Sequence, residues 1–208
     1  MVRDISQQVD TPRGMKRKPV MLSREDWQTL TTASRKSSRE LIVEFVLKTG
    51  MRINEALSIT WEQLDSDKAS VIVGESKTEA GSGRTIPLDS TLLGRLTALR
   101  AEHYALQMQY LDWNPTGLVF CTNAGNFNSY QNLQNRVLTP LLKEAGLPHL
   151  TWHHLRHNAG SYLLSENVPI TAVSKILGHA NPAITMSIYA HELKEDFEQV
   201  RVAMAKFA

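Results

Sequence analysis

A mainly helical domain with a small antiparallel β insert is the fold class that this sequence predicts, and three observations predict it. Apolar residues recur at helical spacing, as at Leu41, Ile42, Phe45 and Val46, the pattern of a helix turning one face to a core. A β-branched run from Ala69 to Val73 faces a second extended run, RTIPL at 84–88, across the polar, glycine-containing turn SKTEAGSG. That is the signature of a hairpin or a small three-stranded sheet. Finally, 42% hydrophobic residues in a chain of 208 are enough to bury a real core.

Residues 1–19 lack apolar periodicity and carry Thr-Pro, Arg-Gly and Lys-Pro pairs, so they predict a linker or arm ahead of a folded domain over 20–208. Ser23 followed by Glu25 and Asp26 marks the first helix start, with acidic residues at the positive end of the helix dipole. Thr49-Gly50 ends the helix that carries Leu41 to Val46. A short second helix is predicted over Asn54 to Ile59, and the hairpin follows. Leu92 to Tyr110 then predicts a helix, Leu118 to Phe120 a short buried strand, and Leu133 to Ala145 a helix closed by Gly146. Helices over His153 to Glu166, Ile170 to Leu177 and about Pro182 to the end complete the chain. There is no internal repeat and no low-complexity segment.

No run approaches the eighteen or so apolar residues that cross a bilayer, and the amino terminus lacks the apolar stretch of a secretory signal. A soluble, cytoplasmic protein with no membrane partner is the expectation. Cys121 is the only cysteine, which leaves no internal disulfide and no cysteine-based zinc site; beside Phe120 it reads as a buried, inert thiol. The formal net charge of +2 is too small to announce a polyanion partner. The charges are segregated, however: Arg13, Lys16, Arg17 and Lys18 cluster in the arm, and Glu192, Glu195, Asp196 and Glu198 near the other end.

The stretch TWHHLRHNAGSYLL, residues 151–164, packs three histidines and an arginine ahead of an apolar run. On a helix His153 and His157 stand four apart and share a face, a spacing by which two imidazoles can bind zinc. The zinc-protease pattern wants Glu directly after the first histidine, and His154 holds that place, so the metal reading fits poorly. The plainer alternative has His153 and Arg156 capping a helix start. Other polar residues stand where apolar ones would serve: Arg52 in TGMRINEAL, Lys77 at the hairpin turn, His179 after Leu177-Gly178, and Tyr189 ten residues later. Two guanidiniums, a lysine, two histidines and a tyrosine suit one reaction, attack on a phosphodiester by a tyrosine hydroxyl.

In these motifs, in this order, the chain resembles the tyrosine recombinase or phage integrase family, specifically its carboxy-terminal catalytic domain, from about Leu22 to His191. TGMRINEAL is similar to the first arginine box, which gives Arg52 as a catalytic arginine and Glu55 as its acidic support. KTEAGSGRTIPL resembles the family hairpin and makes Lys77 the mobile catalytic lysine. HHLRH matches the His-x-x-Arg box, with His153 and Arg156 catalytic and His157 supporting. LGHANPAITMSIYAH resembles the final box, with His179 and the nucleophile Tyr189. Two departures are visible: His154 where the family often has Asp, and a slightly long hairpin turn.

The resemblance implies a site-specific recombinase or integrase, of a phage or other mobile element, that breaks and rejoins DNA through a 3′-phosphotyrosine intermediate without metal, ATP or any cofactor. It implies double-stranded DNA as partner, a tetramer of protomers on two duplexes when active, and a monomer alone. It implies Arg13, Lys16, Arg17 and Lys18 on the DNA backbone, where affinity falls with salt. Leu193, Phe197, Val200 and Met204 stripe a terminal helix that packs in trans or folds back. Family members carry a smaller helical domain upstream; an isolated catalytic fragment is the expectation over a naturally short recombinase. Two competing readings are a non-cutting DNA-binding protein of the same fold and a type IB topoisomerase-like enzyme. Each polar residue also has a plain reading: Tyr189 as packing, Lys77 as a solvated charge, Glu55 as a local cap, and the four tryptophans as core or packing.

Overall fold

In a computed structural model of the chain, the structure describes residues 20–189, Arg201 and 204–206. The arm at 1–19 and most of the tail after Tyr189, with Leu193, Phe197 and Val200, lie outside the described residues. Helix α1 (Arg24–Ala33) starts where the sequence places it. Ser23 Oγ accepts from the Asp26 N–H at 3.1 Å, and the Asp26 carboxylate accepts from the Ser23 N–H at 2.9 Å, a reciprocal capping box.

Helix α2 (Leu41–Thr49) is the core of the domain, with Leu41 through Leu47 all buried. A helix apolar all round must be covered on every side, and here α1, α3 (Ile53–Leu57), α4 (Ser90–Gln109) and α7 (Trp152–Ser165) cover it. Glu44, the one charged residue inside that run, is compensated by Lys48 Nζ at 2.8 Å and by Arg95. Strands β1 (Leu64–Asp65), β2 (Ser70–Ile72) and β3 (Thr85–Pro87) form an antiparallel sheet in that order, with Val71 opposite Ile86. Residues 73–84 make the connection that projects from β2 and β3.

Two elements differ from the expectation. Residues 118–120 form no strand: Leu118 makes an isolated bridge to Thr60, and Cys121 another to Phe127. The Asn114 side chain takes both backbone groups of Leu118, donating to its carbonyl at 2.8 Å and accepting from its N–H at 2.9 Å, so no neighbouring strand is needed. The helix expected over 133–145 starts earlier and is broken: α5 (Tyr130–Leu133) passes through a wide π turn at Gln134–Leu138 into α6 (Thr139–Glu144). Pro140, which has no N–H to donate, follows that turn. Helices α8 (Ile170–Leu177) and α9 (Pro182–Tyr189) pack on α7 around a smaller core of Leu164, Val173, Leu177 and Tyr189. Among the described residues no helix is long and apolar enough to cross a membrane.

Candidate active site

The site forms where the carboxyl ends of α2 and α8 meet α7, and two glycines allow that meeting. Gly50 and Gly178 end their helices at φ 63° and 65°, a left-handed conformation that side chains disfavour. A methyl group on Gly50 would stand 2.7 Å from Leu177 Cδ2, so α2 and α8 touch there. Between the two helix ends lies Arg156, buried on α7, donating Nη1 to the Gly50 carbonyl at 2.8 Å and Nη2 to the Leu177 carbonyl at 2.5 Å. Both acceptors are at the negative ends of helices, where a cation is favoured. Burial, and then the charge of Arg52, push the Arg156 guanidinium down to about 10, still protonated at neutral pH.

Arg52 precedes α3 and is held by Glu55 one turn on. The carboxylate accepts from the Arg52 backbone N–H at 2.9 Å and from its Nη1 at 2.8 Å. It also accepts from Ser76 Oγ at 2.5 Å and from Arg84 Nη2 at 2.6 Å. Burial alone would raise the Glu55 pKa, but bonds from Arg84, Ser76 and Arg52 outweigh it and hold the carboxyl at about 2. The Arg52 side chain keeps 27% of its surface open, against 3% for Arg84. Arg52 is therefore the guanidinium of the pair that can meet a ligand.

The first two turns of α7 present the histidines. Thr151 caps it, and His154 closes the capping box by accepting the Thr151 N–H on Nδ1 at 3.1 Å, which gives that residue a local task. His153 and His157 meet through their Nε2 atoms at 2.9 Å, and His157 Nδ1 lies 3.3 Å from the hydroxyl of Tyr189. Burial, with His153 and Arg156 nearby, brings His157 down to about 4, so it is neutral at pH 7, and burial followed by the charge of Arg156 lowers His153 as well. Burial raises Tyr189 to about 12, partly opposed by Arg156. Its side chain is closely packed: a methyl group on Gly160 would stand 2.5 Å from the hydroxyl. His179 follows Gly178, bonds Thr185 of α9 through Nδ1 at 2.8 Å, and is brought down to about 4 by burial, then by Arg156 and Arg52.

Lys77 is exposed on the 73–84 connection, and its neighbours anchor that loop. Ser76 bonds Glu55, and Thr78 Oγ1 donates to the Gly178 carbonyl at 3.1 Å. Arg52, Glu55, His153, Arg156, His157, His179 and Tyr189 thus share one region, with Lys77 on a loop tied to both of its sides. Arg13, Lys16, Arg17 and Lys18 lie outside the described residues. Among the described residues no group of three or more His, Cys, Asp or Glu side chains is placed to hold a metal. Arg84 is the site residue that the motifs missed; its signal was the alternation Arg84, Ile86, Leu88, all buried, across β3 and the residues that flank it. Cys121, expected to be buried, is only partly so, and burial raises its pKa.

A domain with this helix order, this hairpin and this arrangement of arginines, histidines and a tyrosine belongs to the phage integrase family, whose model matches residues 21–196. A XerC-like tyrosine recombinase of Caldanaerobacter subterraneus subsp. tengcongensis is 30% identical over 168 residues, covering 69% of this chain and 43% of that protein. Tyrosine recombinase XerC of Bacillus subtilis is 28% identical, over 91% of this chain and 62% of the relative. The chain spans less than two thirds of the length of these relatives. Among solved structures, XerA recombinase superposes with a TM-score of 0.71 at 23% identity, covering 93% of this chain and 66% of that one. XerH site-specific recombinase bound to its difH substrate before cleavage superposes with a TM-score of 0.73 at 20% identity, covering 93% and 56%. At such identities the structures establish a shared fold.

Proposed function

We propose that this chain is the catalytic part of a site-specific DNA recombinase that cuts and rejoins strands through a 3′-phosphotyrosine bond. One observation carries the reading: four separate segments, around 52–55, 76–84, 153–157 and 178–189, meet at one place and bring together Arg52, Arg84, Arg156, His153, His157, His179 and Tyr189. Phosphoryl transfer spreads negative charge over the non-bridging oxygens, so positioning and electrostatic stabilisation do most of the work. Arg52 and Arg156 offer planar forks of donors to those oxygens, and His179 offers a further ring nitrogen.

Tyr189 Oη forms the new bond to phosphorus while the bond to the 5′-oxygen breaks. At 2% exposure the phenol is sealed from a duplex, so α9 must shift when DNA docks. The phenol proton passes to an imidazole. His157 Nδ1 already faces the hydroxyl, and a proton on its Nε2 can be donated to His153 Nε2, so the two rings make a path. Lys77 protonates the departing 5′-oxygen. Rejoining runs the same steps backward and conserves the bond energy, so ATP is not needed.

The basic cluster Arg13, Lys16, Arg17 and Lys18 follows the phosphate backbone, and the active species is a tetramer on two duplexes in the cytoplasm. On the family resemblance the chain serves a phage or other mobile element. The XerC names of its relatives support a second reading, recombination at a chromosomal site. Incubation with supercoiled plasmid, followed by a denaturing gel, tests the chemistry. A protein band covalently bound to DNA, lost in Tyr189→Phe, is the expected result. Salt-sensitive binding without that band would favour the non-cutting binder, and relaxation of plasmids regardless of sequence would favour the topoisomerase-like enzyme.

A further inference from the structure

Arg84 sits at the junction of three segments and uses each end of its guanidinium on a different one. Nη2 and Nη1 reach the two Glu55 oxygens at 2.6 and 3.3 Å, on α3. Nε donates to the Ile176 carbonyl at 2.8 Å, on α8, and Nη1 also donates to the Gly81 carbonyl in the loop that carries Lys77. Gly178 rests directly against this junction: a methyl group there would stand 2.8 Å from Gly81 Cα and 3.1 Å from Arg84 Cζ. Arg84 and Glu55 side chains keep only 3% and 4% of their surface. A buried ion pair is seldom retained for stability, because well-packed apolar residues do as well or better; fixing a geometry is its best-supported use. Here three groups that must act together flank one pair. Arg52 hangs from Glu55, the Lys77 loop hangs from Ser76, Gly81 and Thr78, and His179 follows the α8 turn that Arg84 and Thr78 hold.

We propose that Arg84 is a positioning residue for strand cleavage: by joining Glu55, the Gly81 turn and the carboxyl end of α8, it sets Arg52, Lys77 and His179 in register around one phosphate. This rests on the cleavage reading above. Arg84 never touches DNA; it acts through the three groups it ties.

Two substitutions separate its roles. Arg84→Lys keeps a positive charge beside Glu55, but one ammonium cannot also span to Ile176 and Gly81. Arg84→Gln removes the charge as well. Glu55 would then face only Arg52, the Ser76 hydroxyl and the more distant charge of Arg156, and its carboxyl would protonate at higher pH. Single-turnover formation of the covalent complex, on DNA that the unaltered chain cleaves, should fall about 100-fold in Arg84→Gln, the scale of loss for misplaced reacting groups. DNA binding, measured in a Tyr189→Phe background, should hold. Arg84→Lys should be slow as well, since its ammonium keeps the charge but not the three-way tie. Cleavage by Arg84→Gln within about threefold of the unaltered chain would overturn the proposal, as would Arg84→Lys cleaving at the unaltered rate.

Backbone hydrogen exchange gives a second measurement that needs no cleavage. In Arg84→Lys, exchange should rise at residues 76–83 and 176–180 while α2 and the body of α7 keep their protection. Uniform loosening, or none, would also overturn the proposal. If the unaltered chain forms no covalent complex, the cleavage reading fails, and exchange still decides whether Arg84 holds these segments together.

Discussion

The Tyr189 hydroxyl lies 3.3 Å from Nδ1 of His157, while the next imidazole in line, His153, meets His157 rather than the tyrosine. The phenol is therefore stored in a small core against α7, with its polar end satisfied by a neutral ring. A buried phenol without such a partner would be costly. The same contact that stabilises the domain keeps the hydroxyl from solvent.

Gly160 sets how tightly Tyr189 is stored. An alanine methyl would stand 2.5 Å from its hydroxyl and 2.6 Å from Cζ, so the ring must leave. Alanine inside a helix gains about 0.5–1 kcal/mol over glycine, and an unburied tyrosine loses roughly 2 kcal/mol. Gly160→Ala should be destabilised by about 1 kcal/mol, read as a urea midpoint. Its Tyr189 should titrate well below about 12, assigned by comparing ultraviolet titrations with and without Tyr189→Phe. If cleavage requires α9 to open, covalent complex should form faster than in the unaltered chain.

Stability should fall in mild acid. His157 and His179 both titrate near 4 in the folded chain, chiefly through burial, against roughly 6.5 when unfolded. The unfolded chain therefore binds more protons between these values. The contribution of each ring is complete above about pH 6.5 and is lost as pH falls through about 4. Both rings are only half buried, so the loss is smaller than the full shifts would give. Urea unfolding at pH 7, 5.5 and 4.5 should show a falling midpoint, and His157→Gln should flatten the fall. Glu55 adds a second loss only below about pH 4.5, as its folded value is about 2.

Most of the helix and hairpin pattern was legible in the sequence because local signals agree there: Ser23 before Glu25 and Asp26, Gly50 after Thr49, Gly178 after Leu177. Residues 118–120 were misread because the Asn114 side chain, four residues back, replaces a strand partner, and periodicity does not report side-chain bonds to backbone. The π turn before Pro140 escaped for a similar reason, since a helical pattern does not reveal one wide turn. In the site, the motif residues were legible as words, whereas Arg84 was not. An arginine just before a short strand looks solvated until its partners Glu55 and Ile176, distant in sequence, fold against it. The contact between His157 and Tyr189 was equally hidden, because spacing along α7 does not tell which imidazole α9 will meet.

Arg156 serves the fold as well as any ligand. Its two bonds to the Gly50 and Leu177 carbonyls join helix ends from different parts of the chain, and hydrogen bonds to a charged group contribute about 1.5–3 kcal/mol each. Arg156→Lys can keep one of the two. It should lose about 2 kcal/mol of stability in urea unfolding and most of its covalent-complex formation. Arg52→Lys, at a more open position already held by Glu55, should cost much less stability for a comparable loss of cleavage. Equal destabilisation by the two substitutions would remove this distinction.

Lys77 offers the cleanest separation of chemistry from fold. It is exposed, while the loop around it is tied down by Ser76 and Thr78, so Lys77→Ala should change stability by less than about 0.5 kcal/mol. If the lysine gives a proton to the departing 5′-oxygen, cleavage of an ordinary phosphodiester should fall by about 100-fold or more, within the range that general acids supply. A substrate with sulfur in place of that bridging oxygen has a leaving group that needs no proton. Lys77→Ala should cleave it at nearly the rate of the unaltered chain. A lysine that only attracts the phosphate backbone would give a different pattern: both substrates would slow equally, and added salt would shrink the difference between variant and parent.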